Sequence, residues 1–137
     1  MSQANDRRGI DKTVADLLDA AAAAAEIVAR GRDAWNDDRL LRLAGEAVIS
    51  RIGDAASKLP DNVRASMPSV PWEEIRANRV LVAHIYHRID YGILWETLRR
   101  DVPRLATELG NWQQQERSPG QDREQSVERD SVPDIGF

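Results

Sequence analysis

Cysteine is absent from the 137 residues. No disulfide framework and no thiolate metal site can therefore exist in this chain. Aromatic residues make up only 5%, while alanine and leucine recur, which favours helix over sheet. Lysine is nearly missing: Lys12 and Lys58 are the only two, and every other basic residue is arginine. A GC-rich coding sequence is enough to explain most of that bias. There is no glycine-rich phosphate loop, no HExxH, no histidine cluster and no Asp-x-Asp, so no metal ligand set is visible. Strand-like alternation and internal repeats are missing too. The first eleven residues are polar, and the alanine run that follows is broken by Asp16, Asp19 and Glu26. That pattern is neither a signal-peptide core nor a membrane span, and a cytoplasmic location is the expectation. The formal net charge of -4 excludes a global positive field of the kind that announces a nucleic-acid binder.

Helical periodicity dominates what is present. Val14, Leu17, Leu18, Ala21, Ala22, Ala25, Val28 and Ala29 repeat at the spacing of one helix face, with Asp11 as N-cap and Gly31 as stop. A second helix is expected from about Asp37 to Leu59, with the stripe Leu40, Leu41, Ala44, Val48, Ile52, Ala55 and Leu59. Pro60-Asp61 opens a short helix that Met67-Pro68 closes. A third long helix begins at Ser69-Val70-Pro71-Trp72-Glu73-Glu74, where proline and the two acids suit a first turn. Its apolar residues (Ile75, Val82, Ile85 and Ile89, with Val80, Leu81 and Ala83 on other sides) predict burial by more than one neighbour, or a subunit interface. Asp90 caps a fourth helix with the inner face Leu94, Leu98, Val102, Leu105, Leu109 and Trp112. Pro103 predicts a kink near Arg99 and Arg100, and Gly110 is a candidate C-cap. After residue 112 the composition turns polar and acidic, which reads as a disordered tail over 113–137. The expected fold is all-α: an antiparallel bundle of four long helices plus a short connector, over residues 1–112.

One stretch of the third helix carries chemistry. Arg79, His84 and Tyr86 form R-x4-H-x-Y, in a chain with only two histidines and two tyrosines. Arginine holds a phosphate through a planar fork of donors, and histidine moves protons near neutral pH. The reaction that suits them is metal-free RNA cleavage. The ribose 2′-hydroxyl attacks the adjacent phosphate, His84 takes or delivers the proton, and Arg79 neutralises the charge growing on the phosphorus oxygens. Five residues apart, the two side chains point about 140° apart around a helix. Two copies of the helix meeting across a two-fold axis would bring both pairs to one cleft. The bland alternative is a surface arginine, a core-edge histidine and a packed tyrosine. Arg76, one turn before Arg79, would add positive potential for RNA, or simply pair with Glu73. His87 reads as an accessory surface residue, and Trp72 and Trp95 as core or dimer residues.

The surrounding residues resemble the HepT-like family of HEPN-domain proteins. The resemblance rests on Pro71-Trp72 before the helix and on Arg79…His84-Ile85-Tyr86. It continues through Ile89-Asp90-Tyr91, Ile93-Leu94-Trp95 and Asp101-Val102-Pro103, with Gly45-Glu46-Ala47 upstream, and covers roughly residues 10 to 112. It implies a helical bundle that dimerises through the motif helices. It also implies the toxin of a two-gene module, an endoribonuclease acting on tRNA or mRNA without a cofactor. Its partner would be a nucleotidyltransferase antitoxin of the MntA type that transfers AMP to the motif tyrosine. Position by position, Arg79 and His84 would be catalytic and Tyr86 the modified residue. Glu46, otherwise a solvated helix residue, would take an inward or interface role, paired with an arginine. One position departs from the family, which usually has a polar residue after the motif arginine. Here that residue is Val80, and Asn78 stands on the other side of Arg79 as an accessory RNA-positioning candidate. The departure bears on cleavage more than on fold. It keeps a second reading open: a non-catalytic dimerisation module that binds a nucleotidyltransferase.

Overall fold

Gly31 and Asp38 set the first corner of the chain. Gly31 has φ 91° and ψ 161°, a backbone that side chains disfavour. It follows helix α1 (Gln3–Ala29) and opens the short α2 (Arg32–Asp37). The Asp38 carboxylate then accepts from the N–H groups of Leu40 and Leu41 and caps α3 (Arg39–Ser57), an N-cap worth about 1 kcal/mol. Pro60 leads into α4 (Asp61–Ala65), and Pro71 into α5 (Trp72–His84). Asp90 caps α6 (Tyr91–Glu96) through the N–H groups of Gly92 and Ile93. A widened π-helical turn, Thr97–Asp101, joins α6 to α7 (Val102–Arg117). This computed structural model describes residues 3–84 and 89–117; described side chains begin at Asp6 and omit Ala83 and His84.

The architecture is the expected all-α bundle. Four long rods are formed by α1, α3, α5 and the continuous α6–α7 run, with α2 and α4 as short connectors. The central rod is α3, which packs on α1 and on α5, while α1 also covers α7. Among the described residues, no helix is long and apolar enough to cross a membrane.

The core shows which parts of the periodicity carried information. Leu94, Leu98, Val102, Leu105, Leu109 and Trp112 are all buried, as the fourth stripe requires. On α1 the buried face is Val14, Leu17, Ala20, Ala21, Ala24 and Ile27, whereas Ala22, Ala25 and Ala29 are exposed. A run of identical alanines cannot mark its own inner side. On α3, Leu40 is 71% exposed, and the inner face is Gly45, Ile49, Ile52, Gly53, Ala55 and Ala56. Two glycines point inward there because bulky neighbours lie against the backbone. A Cβ on Gly45 would sit 2.5 Å from Cη2 of Trp35, a ring that is fully buried. The Trp35 Nε1–H donates to the Tyr91 carbonyl at 2.9 Å, and its ring lies 5.7 Å from that of Trp95.

Several boundaries differ from expectation. The first helix starts at Gln3 and runs through Asp11, which pairs with Arg7 at 3.7 Å instead of capping. The second segment begins only after the separate α2. Where a kink before Pro103 was expected, the chain forms the π turn. Proline has no N–H for the Arg99 carbonyl, and the Val102 N–H reaches back to the Thr97 oxygen instead, an i→i−5 bond. Gly110 does not end α7, which continues to Arg117 past the expected boundary at 112. That last turn is tied down: Arg7 Nη2 lies 2.8 Å from the Glu116 carboxylate, and its guanidinium is 5.9 Å from the Trp112 ring centroid. Residues 118–137, the rest of the expected tail, lie outside the described residues.

Candidate functional site

Helix α5 has one inward line and one open side. Ile75 and Asn78 are buried, Val82 is partly buried against the core, and Val80 is 36% exposed. The charged residues Glu73, Glu74 and Arg76 face solvent. Arg79 lies between these sides and turns toward α3.

There its guanidinium meets Asp54. Nε donates to Asp54 Oδ1 at 2.8 Å, and Nη2 lies 2.6 Å from the same oxygen. The aliphatic stem crosses Gly53 so closely that a Cβ at that position would be 2.3 Å from both Cβ and Cγ of Arg79. A long side chain is thus seated on bare backbone and held at one edge of its head. Among the described residues, only this pair and Arg7–Glu116 are ion pairs joining different helices; the others are i,i+3 or i,i+4 neighbours.

Arg76 makes one of the local pairs, with Glu73 at 3.1 Å, and both are exposed. It also borders a groove of about 300 Å³ between α3, α4 and α5, beside Gly53, Arg64 and Trp72. Asn78 is only 8% exposed. Its Nδ2 donates to Thr97 Oγ1 at 2.7 Å, and that hydroxyl donates on to the Ile93 carbonyl at 3.2 Å. The structure therefore places Asn78 in a buried polar chain that ties α5 to the π turn, facing away from solvent.

Glu46 belongs to a second cluster. Its carboxylate accepts a short hydrogen bond from the Tyr91 hydroxyl, so its partner is a phenol and not an arginine. Arg42 stands 5.4 Å from the centroid of the Tyr91 ring and donates to the Asn36 carbonyl at 2.7 Å. The Glu46 hydrogen bond, and then burial, push the Tyr91 phenol above its ordinary value of 10.0. Glu46 and Asp54 are eight residues apart on α3, roughly 12 Å along the axis. The structure does not bring Glu46 to Arg79.

The His84 side chain, with Tyr86 and His87, lies outside the described residues. The sequence reading passed over Gly53 and Asp54. The available signal was a glycine inside an apolar helix, where it costs about 1 kcal/mol relative to alanine and so asks for a packing reason.

A family model described as Ribonuclease HepT-like matches residues 17–111. A protein named Putative RNase from Methanocaldococcus jannaschii is 32% identical over 73 residues, covering 53% of this chain and 67% of the relative. Another protein named Putative RNase, from Caldanaerobacter subterraneus, is 32% identical over 80 residues, covering 58% of this chain and 71% of the relative. One named Probable ribonuclease HepT from Thermococcus cleftensis is 29% identical over 68 residues, covering 50% and 62%. No solved structure matches the chain.

Proposed function

The chain belongs to the HepT-like ribonuclease family, and from that premise we propose that it is the RNA-cleaving toxin of a two-gene module, acting in the cytoplasm as a homodimer. The observation that carries this reading is Arg79. It is only 35% exposed, held at its Nε edge by Asp54, and among the described residues its remaining N–H groups have no partner, which leaves them for an anion. Its phosphate partner would be the scissile group of tRNA or mRNA. His84 would remove the proton of the attacking 2′-hydroxyl or deliver one to the leaving 5′-oxygen. Arg79 would stabilise the charge that builds on the phosphorus oxygens. The products are a 2′,3′-cyclic phosphate and a 5′-hydroxyl end. Val80 on the open side of α5 supports placing the second copy against this helix, which would let Arg79 and His84 combine across the two-fold axis.

Silencing would come from a nucleotidyltransferase antitoxin of the MntA type that transfers AMP to Tyr86. The phosphate of AMP beside Arg79 would compete with RNA for the same donors. The other tyrosine is a poorer acceptor, because Tyr91 already gives its hydroxyl to Glu46 and resists ionisation.

The test is cleavage of RNA in EDTA by purified wild type and His84→Ala, both checked for folding. Cyclic-phosphate ends from the wild type alone are the expected result. If neither protein cuts and the wild type carries no AMP, the second reading replaces this one: a dimerisation module that binds a nucleotidyltransferase. The apolar, exposed Val80 directly after Arg79 is the feature that favours that alternative.

A further inference from the structure

We propose that Asp54 is a positioning residue for Arg79, and that Gly53 is the seat that makes the positioning possible. The inference deepens the ribonuclease reading and rests on it.

Asp54 Oδ1 accepts from the Nε–H at 2.8 Å, and Nη2 lies 2.6 Å from the same oxygen as an ion pair. An arginine has five N–H donors, and among the described residues Nη1 and the outer hydrogen of Nη2 have no partner. Those are the donors at the far end of the fork, and they match a planar pair of phosphate oxygens. The pair is a poor stabilising device, since Arg79 and Asp54 are 35% and 55% exposed and solvent screens such contacts. Its clear consequence is geometric. A solvent-facing arginine samples many rotamers and must lose that freedom when it binds. Here the stem lies on Gly53, where no Cβ fits, and the head is pinned from the side. The freedom is removed before any phosphate arrives, and the phosphate meets an oriented fork. Asp54 touches neither RNA nor the reacting atoms in this arrangement; it acts through Arg79.

The test uses the full chain, an RNA oligonucleotide in EDTA, and the variants Asp54→Ala and Asp54→Asn. Asp54 is exposed, so both variants are expected to fold, and circular dichroism checks it. Asp54→Ala should lower kcat by roughly 10- to 100-fold, the loss that follows from misplacing a catalytic group by about 1 Å, with a smaller change in KM. Asp54→Asn keeps an acceptor oxygen in place and should recover most of the rate. In parallel, the Arg79 Nε–H resonance should exchange slowly in the wild type and in Asp54→Asn, and be lost in Asp54→Ala. An Asp54→Ala protein that cuts as fast as the wild type overturns the proposal. One that cuts faster overturns it too, by making Asp54 a mask. If the wild type cuts no RNA, the ribonuclease reading fails separately and the resonance decides alone. Loss in Asp54→Ala upholds the positioning, and an unchanged signal overturns it.

Discussion

Replacing Gly45 by alanine should destabilise this protein although it improves a helix. Alanine gains about 1 kcal/mol of helix propensity over glycine. At Gly45 the new Cβ would lie 2.5 and 2.6 Å from Cη2 and Cζ3 of Trp35, and 3.2 Å from a methyl of Leu98. Trp35 cannot step aside cheaply: it has no exposed surface, and its Nε1–H is committed to the Tyr91 carbonyl at 2.9 Å. Overpacking of this kind costs about 1–3 kcal/mol. The net expectation is a loss of up to about 2 kcal/mol after the propensity gain is subtracted. Gly110 is the control. It also lies inside a helix, but nothing stands within 4 Å of a Cβ there. Gly110→Ala should therefore stabilise by about 0.5–1 kcal/mol. Urea unfolding at one protein concentration measures both as midpoint shifts at constant slope. A double-mutant cycle isolates the cause. Trp35→Phe removes the outer edge of the indole, so Gly45→Ala should cost less in that background, with a coupling of about 1–2 kcal/mol. A Gly45→Ala protein at least as stable as the wild type would refute the packing argument, whatever Gly110→Ala does.

Two further outcomes follow from Tyr91 and Tyr86. Glu46→Gln should lower the Tyr91 phenol toward 10.0 while burial keeps it somewhat raised; phenolate absorbance in a Tyr86→Phe background reads the shift. Because the folded value lies above the unfolded one, the stabilisation is full below pH 10.0 and is lost as pH rises through the folded value, so the deficit of Glu46→Gln should narrow there. Co-expression with a nucleotidyltransferase partner should leave AMP on Tyr86 and none on a Tyr86→Phe protein by mass spectrometry; AMP found only on Tyr91 would contradict the assignment.

The sequence was most readable where chemically distinct residues alternate. Leu94 to Trp112 appear against polar neighbours, and that face was legible in full. The Asp90 cap was legible for the same reason: a short polar side chain stands just before an apolar run. The alanine run of α1 was not, because equal residues carry no phase. The inner side of α3 was legible in part: Ile52, Ala55 and Leu59 are buried and Leu41 and Val48 pack against the core, but Gly45 and Gly53 were missed because hydrophobicity marks large residues, whereas here glycine marks the places of closest approach. Leu40 and Leu43, 71% and 40% exposed, look like core residues by composition alone. The motif gave Arg79 its importance but not its partner, since Asp54 lies 25 positions away on another helix. No local spacing encodes that contact. Asn78 was read as an RNA-positioning candidate from its place beside Arg79. Its neighbour in space, Thr97, sits across the bundle and turns it inward.

The widened turn at Thr97–Asp101 also sets the phase of the α6–α7 rod. Leu94, Leu98 and Val102 follow one another at steps of four, and two such steps drift about 80° off an ideal α-helical line. Leu105, Leu109 and Trp112 then return to mixed steps of three and four, which hold their line without help. A π turn takes up about one extra residue, and here it absorbs the drift, so all six side chains reach the same buried wall. The turn works as a splice between two helical registers. A chain of this kind can change length by one residue at that splice and keep both halves of the wall in alignment.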